Sequence, residues 1–197
     1  NLMGMENALM AFYEEPECMH ELIDFITEYE LAYAKEVIDH IHPEVVFHHD
    51  DWGTQRNSFM APEQFKEFFE PAYKKIYGYY KANGVELIVH HCDCYAANLV
   101  PSMIEMGIDI WQGCMTTNNI PELIKKYGGQ ISFMGAIDSG VVDFPEWTQE
   151  IVDREVEKAC KNGKQYFIPS LTQGLNLSSF PGVYEAVSET IDKINKA

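Results

Sequence analysis

Val45-Val46-Phe47 runs directly into His48-His49-Asp50-Asp51-Trp52, and Leu87-Ile88-Val89 runs into His90-His91-Cys92-Asp93-Cys94. Each apolar, β-branched run reads as a short strand. Imidazole, carboxylate and thiol groups are costly to desolvate and collect where solvent, a metal or a substrate meets them. A strand that turns polar at its C-terminal end is the pattern of an α/β active-site rim. An enzyme is therefore the leading reading.

The same alternation extends outward from these two strands. Glu15-Pro16 opens a helix to about Ile41, with Met19, Leu22, Ile23, Ile26, Tyr29, Ala34, Val37, Ile38 and Ile41 at three- and four-residue steps on one apolar stripe. A second helix runs from Ala61-Pro62-Glu63 to about Ala82, and Pro71 inside it predicts a kink or a break. Strands are expected at Val85–Val89, Ile108–Trp111, Ile131–Ala136 and Tyr166–Pro169, and helices at Ala96–Met106, Ile120–Tyr127, Phe144–Asn162 and Phe180–Asn195. One helix followed by five strand–helix units implies right-handed crossovers and a parallel sheet. Asp50, Asp93, Gln112, Asp138 and Ser170 stand at the five strand ends. Polar groups at every strand end favour a barrel, whose strands share one rim, over an open doubly wound sheet. No glycine-rich phosphate loop follows any strand, which weakens a nucleotide-binding reading.

The formal charge of −17, from 31 acids against 14 bases, argues against a nucleic-acid or anionic-membrane partner. No stretch is apolar enough to span a bilayer and no signal peptide is visible, so a cytoplasmic protein is expected. Five scattered cysteines, at 18, 92, 94, 114 and 160, do not form a disulfide framework and fit a reducing compartment.

Two adjacent carboxylates cannot both be buried and ionised cheaply, so Asp50 or Asp51 should face a pocket, as substrate acceptor or general base. His91 with Asp93 reads as a metal-binding or catalytic pair, or more plainly as a hydrogen-bonded loop pair. Trp52, Gln55, Trp111, Asp138 and Thr172 are the candidate substrate contacts, although a tryptophan in such a place is more often simply core. Cys92 could pack between strand and helix, Cys18 and Cys160 read as small core residues, and His20, His40 and His42 as helix surface.

Several segments together resemble the uroporphyrinogen decarboxylase superfamily, closer to its zinc- and corrinoid-dependent methyltransferase-like branch. They are Met3-Gly4-Met5-Glu6-Asn7-Ala8-Leu9, Asp50-Asp51-Trp52-Gly53-Thr54-Gln55, Met60-Ala61-Pro62-Glu63-Gln64-Phe65, His91-Cys92-Asp93 with Pro101 and Gly107, and Met134-Gly135-Ala136-Ile137-Asp138. The resemblance implies a (β/α)8 TIM barrel of which this chain is the C-terminal part: a partial barrel of about five parallel strands with flanking helices, one domain lacking the N-terminal strands. A second copy or the missing half would then cover the open edges. It also implies a zinc site with a histidine and a cysteine two apart. His90-x-Cys92 keeps the spelling of that motif, and His91-x-Asp93 keeps its spacing to Pro101, Ile104 and Gly107. The second placement makes His91 and Asp93 the metal ligands, with no cysteine near the last strand, Ile168–Thr172, to supply a third. Methyl transfer to or from a small molecule with a corrinoid protein partner is the first functional expectation. Cofactor-independent decarboxylation of uroporphyrinogen, with Asp50 orienting the substrate, is the second. A non-catalytic binding subunit is the third.

Overall fold

The computed structural model describes residues 3–173 and 180–196. In chain order the elements are α1 (Met5–Glu14), α2 (Pro16–Ile41), β1 (Val45–His49), α3 (Pro62–Phe68), α4 (Glu70–Ala82), β2 (Leu87–His91), α5 (Val100–Met106), β3 (Ile110–Cys114), α6 (Ile120–Tyr127), β4 (Ser132–Ile137), α7 (Ser139–Val142), α8 (Gln149–Cys160), β5 (Phe167–Leu171) and α9 (Val183–Lys196). Single 3₁₀ turns occupy Ala97–Leu99 and Thr116–Asn118. Five helices, α2 to α6, carry a proline in the first turn, where its missing N–H has no partner to lose. Pro71 divides the long second helix: α3 ends at Phe68 and α4 begins at Glu70. Gly107 ends α5 with φ of 84°, a left-handed cap that favours glycine.

The five strands form one parallel sheet in the order β1-β2-β3-β4-β5. A doubly wound sheet reverses its strand order at a switch point. Strictly sequential order is the arrangement of a (β/α)8 barrel, of which these strands make a five-stranded arc. Among the described residues β1 pairs only with β2 and β5 only with β4, so both edges of the arc are open.

Side chains alternate across the sheet, which gives it two different faces. Val46, Ile88, His90, Trp111, Phe133 and Phe167 turn toward the helices. Ile88, His90, Trp111 and Phe133 are fully buried there, against a core that includes Tyr77, Leu99, Met103 and Val156. Each large apolar side chain so buried stabilises the fold by roughly 1.5–3 kcal/mol. Val45, Phe47, Leu87 and Ile168 turn to the concave face, and each is about two-fifths or more exposed. The concave face would be the interior of a closed barrel.

Three expectations shift. Met5–Glu14 forms a helix ahead of the first expected one, and its Phe12 packs edge-on to Phe68 with ring centroids 4.9 Å apart. The apolar stripe of α2 is broader than one buried face: Met19 and Ala34 are buried, whereas Leu22, Ile26, Tyr29 and Ile41 are exposed with Phe25 and Tyr33. Cys18 is exposed rather than core, and Cys160 is half-buried. No described helix is long and apolar enough to cross a membrane.

Candidate functional site

The ends of β1 and β2 are in register, with His48 opposite His90 and His49 opposite His91. Alternation sends the two pairs to opposite faces. His48 and His90 point into the helix layer, with ring centroids 5.6 Å apart. His49 and His91 lie on the concave face, their centroids separated by 4.5 Å. The chain continues to alternate beyond each strand, so Asp51 follows His49 and Asp93 follows His91 onto the concave side. The His49 Nε2 lies 4.0 Å from Asp51 Oδ2, and the His91 Nε2 lies 3.9 Å from Asp93 Oδ2. The Asp93 backbone N–H donates to Asp51 Oδ1 at 3.1 Å, which ties the two strand exits together.

His91 is the fixed member of this cluster. Its Nδ1 makes a short hydrogen bond with Gln112 Oε1. A carboxamide oxygen only accepts, so Nδ1 carries the proton and Nε2 presents its lone pair. The Gln112 amide in turn donates to the Gln173 carbonyl at 3.4 Å. Gly113, at φ 87°, lets the ring lie flat on the backbone: a Cβ there would meet His91 Cε1 at 2.8 Å and Nδ1 at 2.9 Å. His91 is almost wholly buried, while His49 and Asp51 are half-exposed. Desolvation, and then the Asp51 charge, raise the Asp93 carboxyl above its ordinary range.

Behind the rim, His90 sits in an aromatic box. Trp52 stacks on it at 4.1 Å, the Tyr77 hydroxyl meets its Nδ1 at 2.7 Å, and its Nε2 donates to the Asp50 carbonyl at 3.0 Å. Tyr77 is therefore the donor to Nδ1. Burial, with His48 next, pushes the His90 imidazolium down to about 3. Neutral His90 serves the core.

The candidate residues consequently separate into two groups. Asp51, His91 and Asp93 come together on the concave side. Asp50 turns the other way: its carboxylate accepts the Tyr73 hydroxyl and lines a cavity of about 230 Å³ between α2 and α4, with Glu30 and His48. Trp52 and Trp111 are buried in the helix layer; the Trp111 indole N–H donates to the Cys92 carbonyl at 2.9 Å. Gln55 is exposed on the loop after β1. Asp138 caps α7 by accepting from the Gly140 N–H at 2.9 Å. Thr172 is buried and bonds Ser139 at 3.3 Å. Cys92 and Cys94 lie with sulfurs 3.0 Å apart, both buried, and Cys114 is buried with its thiol on the Trp111 carbonyl at 3.2 Å. None of the three faces His91. Two residues of the site escaped the sequence reading. The register of β1 on β2 brings in His49, and the register of β2 on β3, which sets His91 opposite Gln112, brings in Gln112.

Comparison with known proteins places this geometry. A family model for uroporphyrinogen decarboxylase (URO-D) matches residues 1–194. The chain belongs to the URO-D family. Its fold is similar to that of a methyltransferase from Methanosarcina mazei, with a TM-score of 0.74 at 15% sequence identity. That match covers 95% of this chain and 53% of the other, so the chain spans about half the length of the solved relative. No curated protein matches the sequence. The five-stranded arc is thus a partial URO-D barrel, in a family of enzymes.

Proposed function

We propose that the chain forms the metal-bearing part of a URO-D-family methyl-transfer enzyme that works with a corrinoid protein. The observation that carries the proposal is the aim of His91. Its Nδ1 is held by Gln112 and its Nε2 opens toward Asp93 on the concave face. A histidine whose second nitrogen is fixed by a carbonyl acceptor is the usual state of a metal ligand. Zinc accepts imidazole and carboxylate donors alike, so His91 and Asp93 fit it. Bound there, zinc would lower the pKa of a thiol or water and supply a nucleophile at neutral pH. His91 holds its ring in place through Gln112 and Gly113, and Asp93 supplies negative charge beside it. The methyltransferase fold of the solved relative supports the choice of branch.

The concave apolar face also belongs to this proposal. Val45, Phe47, Leu87 and Ile168 would be covered by three further strands that join β1 to β5 and close the barrel. Decarboxylation through Asp50 finds less support, because that carboxylate is engaged by Tyr73 on the far side of the sheet. The test is transfer of the methyl group from methylcobalamin to a thiol, followed by loss of the methylcobalamin absorbance. The zinc-loaded chain should accelerate it and His91→Ala should abolish the acceleration. Equal rates for the two proteins would overturn the proposal.

A further inference from the structure

We infer that β1 supplies half of the metal centre: His49 and Asp51 bind the same divalent ion as His91 and Asp93, in a donor set of nitrogen and oxygen without sulfur. This deepens the preceding proposal and rests on its metal site.

The exits of β1 and β2 carry the same His-x-Asp pattern on the concave side, His49-Asp50-Asp51 and His91-Cys92-Asp93, while the overlapping His48-x-Asp50 faces the helices. In each, the first and third residues share a face, because neighbouring residues of an extended chain alternate. Parallel pairing then sets His49 directly opposite His91, and Asp51 accepts the Asp93 backbone N–H. Two copies of one motif in matched register bring three donor groups, His49, Asp51 and His91, together on the concave face, with Asp93 Oδ2 beside His91 at 3.9 Å. Donor atoms of His49, Asp51 and His91 all lie within 4.8 Å of one another. A tetrahedral ion with bonds of about 2.0–2.1 Å needs its ligands roughly 3.3–3.4 Å apart. The remaining approach falls mainly to His49, whose half-exposed side chain can change rotamer, while His91 is locked by Gln112 and Asp51 is tied through Oδ1 to the Asp93 N–H with Oδ2 left to bind.

Two independent observations point to a cation. The His91 side chain is almost wholly buried and held at Nδ1, and its Nε2, without a hydrogen-bond partner among the described residues, opens onto the concave face 3.9 Å from Asp93 Oδ2. No lysine or arginine pairs with Asp51 or Asp93 among those residues. The three nearby thiols are turned away: Cys92 and Cys94 contact each other, and Cys114 bonds a backbone carbonyl. Two imidazoles and two carboxylates suit a borderline divalent ion of the zinc, cobalt or iron class.

Titration calorimetry with Zn²⁺ decides the matter, using the native chain and the variants His49→Ala, His49→Gln, Asp51→Asn and His91→Ala. Removing either β1 ligand should weaken zinc binding at least tenfold, and thermal unfolding of the metal-free variants should match the native chain. Co²⁺ should give visible ligand-field bands without the near-ultraviolet charge-transfer band of a thiolate. Zinc affinity unchanged in both His49→Ala and Asp51→Asn but lost in His91→Ala would overturn this inference and leave the two-residue site standing. An intense thiolate band would also overturn it. A native chain that binds no zinc would remove this inference and the metal site together.

Discussion

His90 is enclosed by Trp52, His48, Tyr73 and Tyr77, and its imidazolium is pushed down to about 3 from an ordinary value of 6.5. A histidine that resists protonation when folded binds fewer protons than the same residue in the unfolded chain. Its contribution to stability is therefore intact above about pH 6.5 and is lost as pH falls toward 3. At pH 5 the unfolded chain has gained this proton and the folded chain has not. The interval of about 1.5 pH units, at 1.36 kcal/mol each, corresponds to a loss of about 2 kcal/mol. His48 is also held down by burial and adds to the loss. Asp93, raised by its surroundings, acts in the opposite sense on a half-exposed group. Urea unfolding followed by circular dichroism at pH 8, 6.5 and 5 measures the effect, with His90→Asn as the control that removes the titrating group. The native chain should lose about 2 kcal/mol between pH 8 and 5, and the control should lose distinctly less. A pH-independent midpoint, or the same drop in both proteins, would refute the reasoning.

Three further outcomes are expected. Gly113→Ala forces a Cβ to within 3 Å of the His91 ring at a positive φ; it should lower stability by about 1–3 kcal/mol and weaken zinc binding, read by denaturation and calorimetry. Gln112→Leu leaves His91 Nδ1 without its acceptor and should reduce zinc affinity about 10–100-fold, with far-ultraviolet circular dichroism unchanged. Tyr77→Phe removes the donor to His90 Nδ1 in the dry core and should cost about 1–3 kcal/mol in urea unfolding, with no change in zinc binding.

Most of the fold was legible because local signals agreed with one another. The strands starting at Val45, Leu87, Ile110, Ser132 and Phe167 begin within two residues of their expected positions, and Pro71 divides its helix as its missing N–H requires. The direction of His91 was also within reach, since alternation separates it from His90 and Cys92. The same rule applied to β1 would have set Asp51, not Asp50, beside His91. What the sequence hid was cross-strand register. Nothing local marks Gln112 as the partner of His91 or shows that His49 stands opposite it, because those contacts span residues 21 and 42 positions apart. Trp52 and Trp111 were ambiguous for a related reason: a tryptophan next to a strand end fills a core as readily as it lines a pocket. The exposed side of α2 was invisible because helical periodicity reports apolarity and not what covers it.

Among the described residues the borders at β1 and β5 have no strand partner, which bears on handling as well as on function. A strand edge with free amide and carbonyl groups, flanked by bare Val45, Phe47 and Ile168, is a template for any extended chain that fits it. In concentrated solution a neighbouring molecule's border can fill that place, and each addition presents a fresh border to the next. Fibrillar self-association with a spacing near 4.7 Å is the expected fate of isolated arcs. Supplying the complementary strands in trans should suppress it.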